Sequence, residues 1–183
     1  MIKQIQVRPT KELLYFLEEY YKLIRSDEKI TSGSDLLENI FIKFHEFIFS
    51  KDEAKRVESV RKYEKSLDNY TLSIPLTRVI IGNSVYEYPK PITFNIEEEN
   101  VNKITDFLNE NAESSYYRMS YIIKLASFVA LKEKQKTMDK NQEIDIDDKM
   151  KYKLVNDIIV LLNHSNKEEN KLKIKKIIKT MEE

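Results

Sequence analysis

Three polar side chains near the start of the chain, Gln4, Gln6 and Arg8, stand two residues apart, with Lys3, Ile5 and Val7 on the alternate positions. Successive strand side chains point to opposite faces, so a strand here turns the three polar groups one way and Ile5 and Val7 toward a core. Such a polar face has the chemistry to touch bases. A glutamine amide pairs bidentately with adenine and an arginine fork with guanine, each contact giving roughly 1–3 kcal/mol of discrimination. Other candidates have plainer explanations. Glu97-Glu98-Glu99 and Asp145, Asp147 and Asp148 stand where a helix is about to begin, and carboxylates there complement the helix dipole. His45 and His164 lie far apart with no second ligand at metal spacing, so no metal site is expected. The chain has no glycine-rich phosphate loop, and Ser84 in Gly82-Asn83-Ser84-Val85 has no recognisable base or oxyanion setting. The expectation is a protein that is not an enzyme and carries no cofactor.

The polar triplet needs elements to hold it. Pro9-Thr10 breaks the strand, and Leu13, Leu14, Phe16, Leu17, Tyr20, Tyr21 and Ile24 then fall on one helical face, predicting a helix from about Lys11 to Arg25. A polar turn from Ser26 to Ser32 separates it from a second helix. Gly33-Ser34-Asp35 marks that start, and Glu38 three residues after Asp35 has capping-box spacing. Leu36, Leu37, Ile40, Phe41, Phe44, Phe47 and Ile48 make its buried side. One strand and two helices cannot bury that much Leu and Phe alone, so a matching strand and helices must lie opposite.

From Ile2 to Ile48 this strand, helix, helix order resembles a ribbon-helix-helix DNA-binding domain of the MetJ, Arc and CopG superfamily. The resemblance implies two antiparallel strands that enter the major groove, and a second helix whose start grips a backbone phosphate. Carried over, Gln4, Gln6 and Arg8 take the base-reading positions. Gly33, Ser34 and Asp35 take the phosphate-gripping helix start, where amide hydrogens and the dipole favour an anion. The plainer alternative is an ordinary α+β edge strand.

Downstream, Lys51 to Leu67 is highly charged and helical in pattern, with a thin apolar stripe of Ala54, Val57 and Val60, and reads as a solvated connector. Thr77 to Ile81 and Ser84 to Tyr88 flank Gly82-Asn83, a two-residue turn signal, predicting a β-hairpin that packs on the core. A wing along DNA, using Arg78, Tyr86 and Tyr88, is the alternative. From Pro91 to Lys134 the opening plan returns. Ile92, Phe94 and Ile96 alternate with Thr93, Asn95 and Glu97. Val101, Ile104, Phe107 and Leu108 form one helical stripe, and Ile122, Ile123, Ala126 and Val129 follow Ser120 in another. If this is a diverged second copy, Thr93 and Asn95 join the base-reading edge and Ser120 the phosphate-binding set. One chain would then be an intramolecular pseudo-dimer suited to a non-palindromic site, the alternative being a homodimer of the first domain. Glu97 facing DNA is unfavourable unless it accepts from a cytosine amine. In the tail, Lys136 to Asp148 reads as a loop. Tyr152, Val155, Ile158, Ile159 and Leu162, then Leu172, Ile174, Ile177, Ile178 and Met181, read as a helical hairpin with a lysine-rich, solvated outer face.

The organisation expected is therefore mainly α within an α+β class: a ribbon-helix-helix unit over 1–50, a charged helix and hairpin connector over 51–90, a possible second unit over 91–135 and a helical hairpin over 136–183. Bulk properties allow this. The chain has 183 residues, 41% apolar, with only two Gly and four Pro, enough for a real core and few tight turns. The lack of Cys excludes disulfides and thiolate metal sites, and no apolar run approaches the roughly 20 residues that span a bilayer, so the expected location is cytoplasmic with no membrane partner. Charge is balanced, at 31 basic against 31 acidic residues, and no segment is strongly cationic: 1–50 carries 7 basic and 8 acidic, 51–90 carries 8 and 6, 91–135 carries 5 and 7, and 136–183 carries 11 and 10. DNA binding must then rest on a few placed cations, with a shallow salt dependence. The expected function is sequence-specific binding of double-stranded DNA. The resemblance implies a repressor, or a relaxosome, replication or partition accessory protein of a mobile element such as a conjugative plasmid, assembling to higher order on DNA. The C-terminal helices could serve a protein partner. The competing class is a protein-interaction module or host-factor inhibitor that uses the same fold without DNA.

Overall fold

In the computed structural model, which describes residues 1–72, 75–112 and 117–140, the opening alternation forms strand β1 (Ile2–Val7). Its antiparallel partner is a later strand of the same chain, Ile92–Glu97, with Ile5 opposite Phe94 and Val7 opposite Ile92. Ile5, Val7, Ile92, Phe94 and Ile96 are buried beneath this two-stranded ribbon. Helix α1 (Lys11–Ile24) starts where the Thr10 hydroxyl accepts the Leu13 amide at 3.1 Å, and it buries Leu13, Leu14, Phe16, Leu17, Tyr20 and Ile24.

Helix α2 (Gly33–Phe49) begins differently from the sequence expectation. The N-cap is Ser32, in extended conformation, and Asp35 is its reciprocal partner three residues on. Asp35 is already helical and therefore cannot be the cap, which releases Glu38 for another contact. Leu36, Leu37, Ile40, Phe41, Phe44 and Ile48 are buried as the spacing required, with Phe47 half-buried.

Helix α3 (Glu53–Asp68) corrects the solvated connector. Its buried stripe is Val60, Tyr63 and Leu67, and Ala54 is exposed. Tyr63, which adds an aromatic ring to the aliphatic stripe, packs against Phe47 at 5.3 Å and donates its hydroxyl proton to Glu133. Most of the charged positions are exposed, Arg56 and Glu64 being half-buried, so a high charge density coexists with a core-facing edge.

Strands β2 (Arg78–Ile81) and β3 (Ser84–Glu87) pair as a hairpin around Gly82-Asn83. Gly82 has φ of 55° and Asn83 does not, the pattern of a type II′ turn with glycine first. A side chain at Gly82 would also strike the Thr31 carbonyl, to which Asn83 donates its amide at 3.0 Å. Val79 and Ile81 are buried, so the hairpin belongs to the core. It is followed by β4 (Ile92–Glu97), which runs straight into α4 (Glu98–Glu110), and by helix α5 over 119–140. Ile122, Ile123, Ala126 and Val129 are buried.

Among the described residues the fold is mostly helical α+β with two small antiparallel two-stranded sheets. Residues Met1–Lys134 form one compact unit and Gln135–Glu183 a second. The first has one apolar cluster, seen at Phe16, whose ring lies 5.1 Å from both Tyr70 and Phe128. Of the second, 135–140 are described and helical, which corrects the start of the loop expected from Lys136. The stretch holds no Gly or Pro to stop a helix already running. The C-terminal helical hairpin, His164 and the Asp145 to Asp148 group lie outside the described residues. Among the described residues no helix is long and apolar enough to cross a membrane.

Candidate nucleic-acid interface

The β1–β4 register sets Gln4 opposite Asn95 and Gln6 opposite Thr93, with Arg8 one residue past the last rung. All five side chains are exposed, while their alternates Ile5, Val7, Ile92, Phe94 and Ile96 are buried. The same outward face continues to Ile2 and Glu97, which oppose each other at the far end.

The outer edge of β4 is held by α2. The Ser34 hydroxyl accepts the Asn95 amide at 3.0 Å, and one turn later Glu38 Oε2 accepts the Glu97 amide at 2.8 Å. Glu38 Oε1 also accepts from the Asn100 side chain at 2.6 Å, tying the start of α4 to the same carboxylate. Amides directed at α2 point away from β1, so Gln4–Asn95 and Ile2–Glu97 are rungs without mutual backbone bonds. In such rungs the Cα atoms approach to about 4.5 Å and the side chains are closest. The outward groups therefore stand in tight facing pairs, and two acceptors on α2 cover the edge of a strand that would otherwise be open.

The predicted phosphate grip at the start of α2 has other work. The buried Gly33 donates its amide to the Tyr86 hydroxyl at 2.9 Å, and Ser34 spends its hydroxyl on β4. The Asp35 amide goes to Ser32 Oγ at 3.3 Å. The Asp35 carboxylate accepts from the Thr31 hydroxyl at 2.5 Å and amide at 2.9 Å and from the Ser32 amide at 3.0 Å, contacts led by the Thr31 hydroxyl that hold its pKa below the usual carboxylate range. A helix start closed by a tyrosine, a serine and a carboxylate has little left for a phosphate oxygen. Gly33 is thus joined to the hairpin, Ser34 to β4, and Asp35 to the Thr31-Ser32 turn that precedes the helix. Ser120, in the first turn of α5, is exposed, as is Arg118.

Charged groups flank both ends of the ribbon. At the Arg8 end, Lys11 lies over the Tyr88 ring at 5.3 Å, and Glu87 sits between Arg78 at 3.8 Å and Lys90 at 2.5 Å. At the other end Glu97, Glu98 and Glu99 follow one another, with Lys103 paired to Glu99 at 2.7 Å. The wing residues separate: Arg78 and Tyr88 are exposed, whereas Tyr86 turns inward to Gly33 and lies 5.9 Å from the Phe94 ring.

Away from the ribbon, His45 packs on Phe49 at 4.4 Å, and burial together with the nearby Lys103 depresses its pKa. It lines an open groove of about 780 Å³ with Arg56, Lys103 and Asp106. Among the described residues no group of three or more His, Asp or Glu side chains is placed to hold a metal ion. Sequence reasoning gave Glu38 a capping role and Tyr86 a place on a wing, not the contacts they make, and left out the outward Ile2. Ile2 was accessible in principle, since it shares the parity of Gln4; Glu38 and Tyr86 act on partners 59 and 53 residues away, which no local pattern reveals.

No family model matches the chain, and no curated protein or solved structure matches it significantly.

Proposed function

We propose that this chain is a non-enzymatic, sequence-specific binder of double-stranded DNA that reads the major groove with the outward face of its β1–β4 ribbon. The observation that carries this is the exposure of Gln4, Gln6, Arg8, Thr93 and Asn95 on one face of a ribbon completed within a single chain. Amide, hydroxyl and guanidinium groups supply the donors and acceptors that base edges require, and a two-stranded ribbon fits the width of the major groove. This is the ribbon-helix-helix reading in its tandem form, with an added helix and hairpin between the copies. Its two strands differ in every outward residue, so the bound site is asymmetric. The biological role that goes with it is a repressor or an accessory protein at a replication, transfer or partition site of a mobile element.

A second reading, a protein-interaction module, is favoured by the neutral balance of charge and by Glu97 on the outward face. A gel shift with genomic or randomised duplex fragments separates the two. The expected result is selective retention of one duplex family and loss of that preference in the Gln6→Ala, Arg8→Ala double variant. Binding of the same family with the same preference by the double variant would overturn the ribbon as reader.

A further inference from the structure

The outward face carries one apolar side chain, Ile2, which is 65% exposed at the end of the ribbon opposite Arg8. Its parity along β1 matches Gln4 and Gln6, and its rung partner is the exposed Glu97. The Glu97 amide is directed to Glu38, so this is one of the close rungs, with the isoleucine and the carboxylate side by side. That pair is a poor match for a phosphate, which repels the carboxylate and offers the isoleucine nothing. It suits the groove floor, where the only apolar group on a base edge is the thymine 5-methyl, and where exocyclic amines of adenine and cytosine can donate to a carboxylate.

Resting on the DNA-binding reading above, we propose that Ile2 is a specificity-determining residue that packs on a thymine 5-methyl group, and that the Ile2–Glu97 rung therefore lies over bases. The ribbon then reads with three outward rungs, Ile2–Glu97, Gln4–Asn95 and Gln6–Thr93, each separated from the next by one inward rung and followed by Arg8. Its polarity in the groove is set by chemistry: Lys11, Arg78 and Lys90, beyond Arg8, lie toward the phosphates and the Ile2 end over an A·T-containing step.

The test uses the full chain and the duplex it selects from a randomised pool. Each thymine is replaced singly by deoxyuridine, which removes the 5-methyl and keeps every hydrogen-bonding group. At one position the wild-type chain is expected to lose affinity about fourfold, the effect of one buried methyl group. Ile2→Ala is expected to bind the thymine duplex about that much more weakly and to be indifferent to the uracil at that position. Because Ile2 is exposed, this variant leaves the core intact, which a thermal melt verifies. Equal methyl sensitivity in wild type and Ile2→Ala at every position overturns the inference and leaves the DNA reading standing. Selection of no duplex at all overturns both.

Discussion

At the residue scale, Gly33 is where two distant parts of the chain meet. Its amide is the donor to Tyr86, and a Cβ there would lie 2.0 Å from the Tyr86 hydroxyl oxygen. Gly33→Ala must therefore push the tyrosine ring aside and leave the amide without its acceptor. The expected cost is about 1–3 kcal/mol, by analogy with overpacking of a closed interior. Most of that cost comes from one contact, so it should shrink sharply in a Tyr86→Ala background, the signature of a coupled pair. Chemical denaturation of the four proteins in this cycle measures it, and additive effects would show that Gly33 is needed for some other reason.

At the element scale, α2 is the support of the ribbon. Ser34 and Glu38, one turn apart, each take an amide from the outer edge of β4, and Glu38 also holds Asn100 at the start of α4. Glu38→Ala removes both acceptors, one serving the exposed Glu97 amide and one the partly buried Asn100 side chain, for an expected loss of about 1 kcal/mol. Glu38→Gln keeps an oxygen for the Glu97 amide and should recover much of the difference. Hydrogen exchange gives the local readout. In Glu38→Ala the Glu97 amide should exchange faster while that of Phe94, on the paired side of the strand, holds its protection. Uniform acceleration along β4 would mean the helix stabilises the fold in general and does not hold this edge.

At the scale of the whole molecule, charge is balanced in number, and the cations beside the reading face are few. The cations named at the Arg8 end are Arg8, Lys11, Arg78 and Lys90, two of them sharing Glu87. Each phosphate neutralised contributes about −0.9 to the slope of log K against log salt. With Arg8 on a base and no more than Lys11, Arg78 and Lys90 on phosphates, the slope of specific binding should be no steeper than about −3. Titrations across a range of salt concentrations check this. A markedly steeper slope would place the DNA against a cationic surface elsewhere on the chain.

Periodicity was enough to set most elements. The alternation of Ile5 and Val7 with Gln4 and Gln6, and of Ile92, Phe94 and Ile96 with Thr93 and Asn95, determined two half-buried strands, because burial on one face leaves only one register of side chains. Helical stripes in α1, α2, α4 and α5 were legible for the same reason, and Gly82-Asn83 marked its own turn. Charge density hid the core-facing edge of α3, since its stripe is only Val60, Tyr63 and Leu67 on an otherwise polar helix. What only the tertiary structure decided was which strand faces which, and what occupies the start of α2. Pairing of β1 with β4 spans most of the unit, and the Tyr86, Ser34 and Glu38 contacts join residues more than fifty positions apart. Local propensity acts over a few residues, whereas those contacts exist only once the apolar faces have collapsed onto one another and brought the polar groups into range.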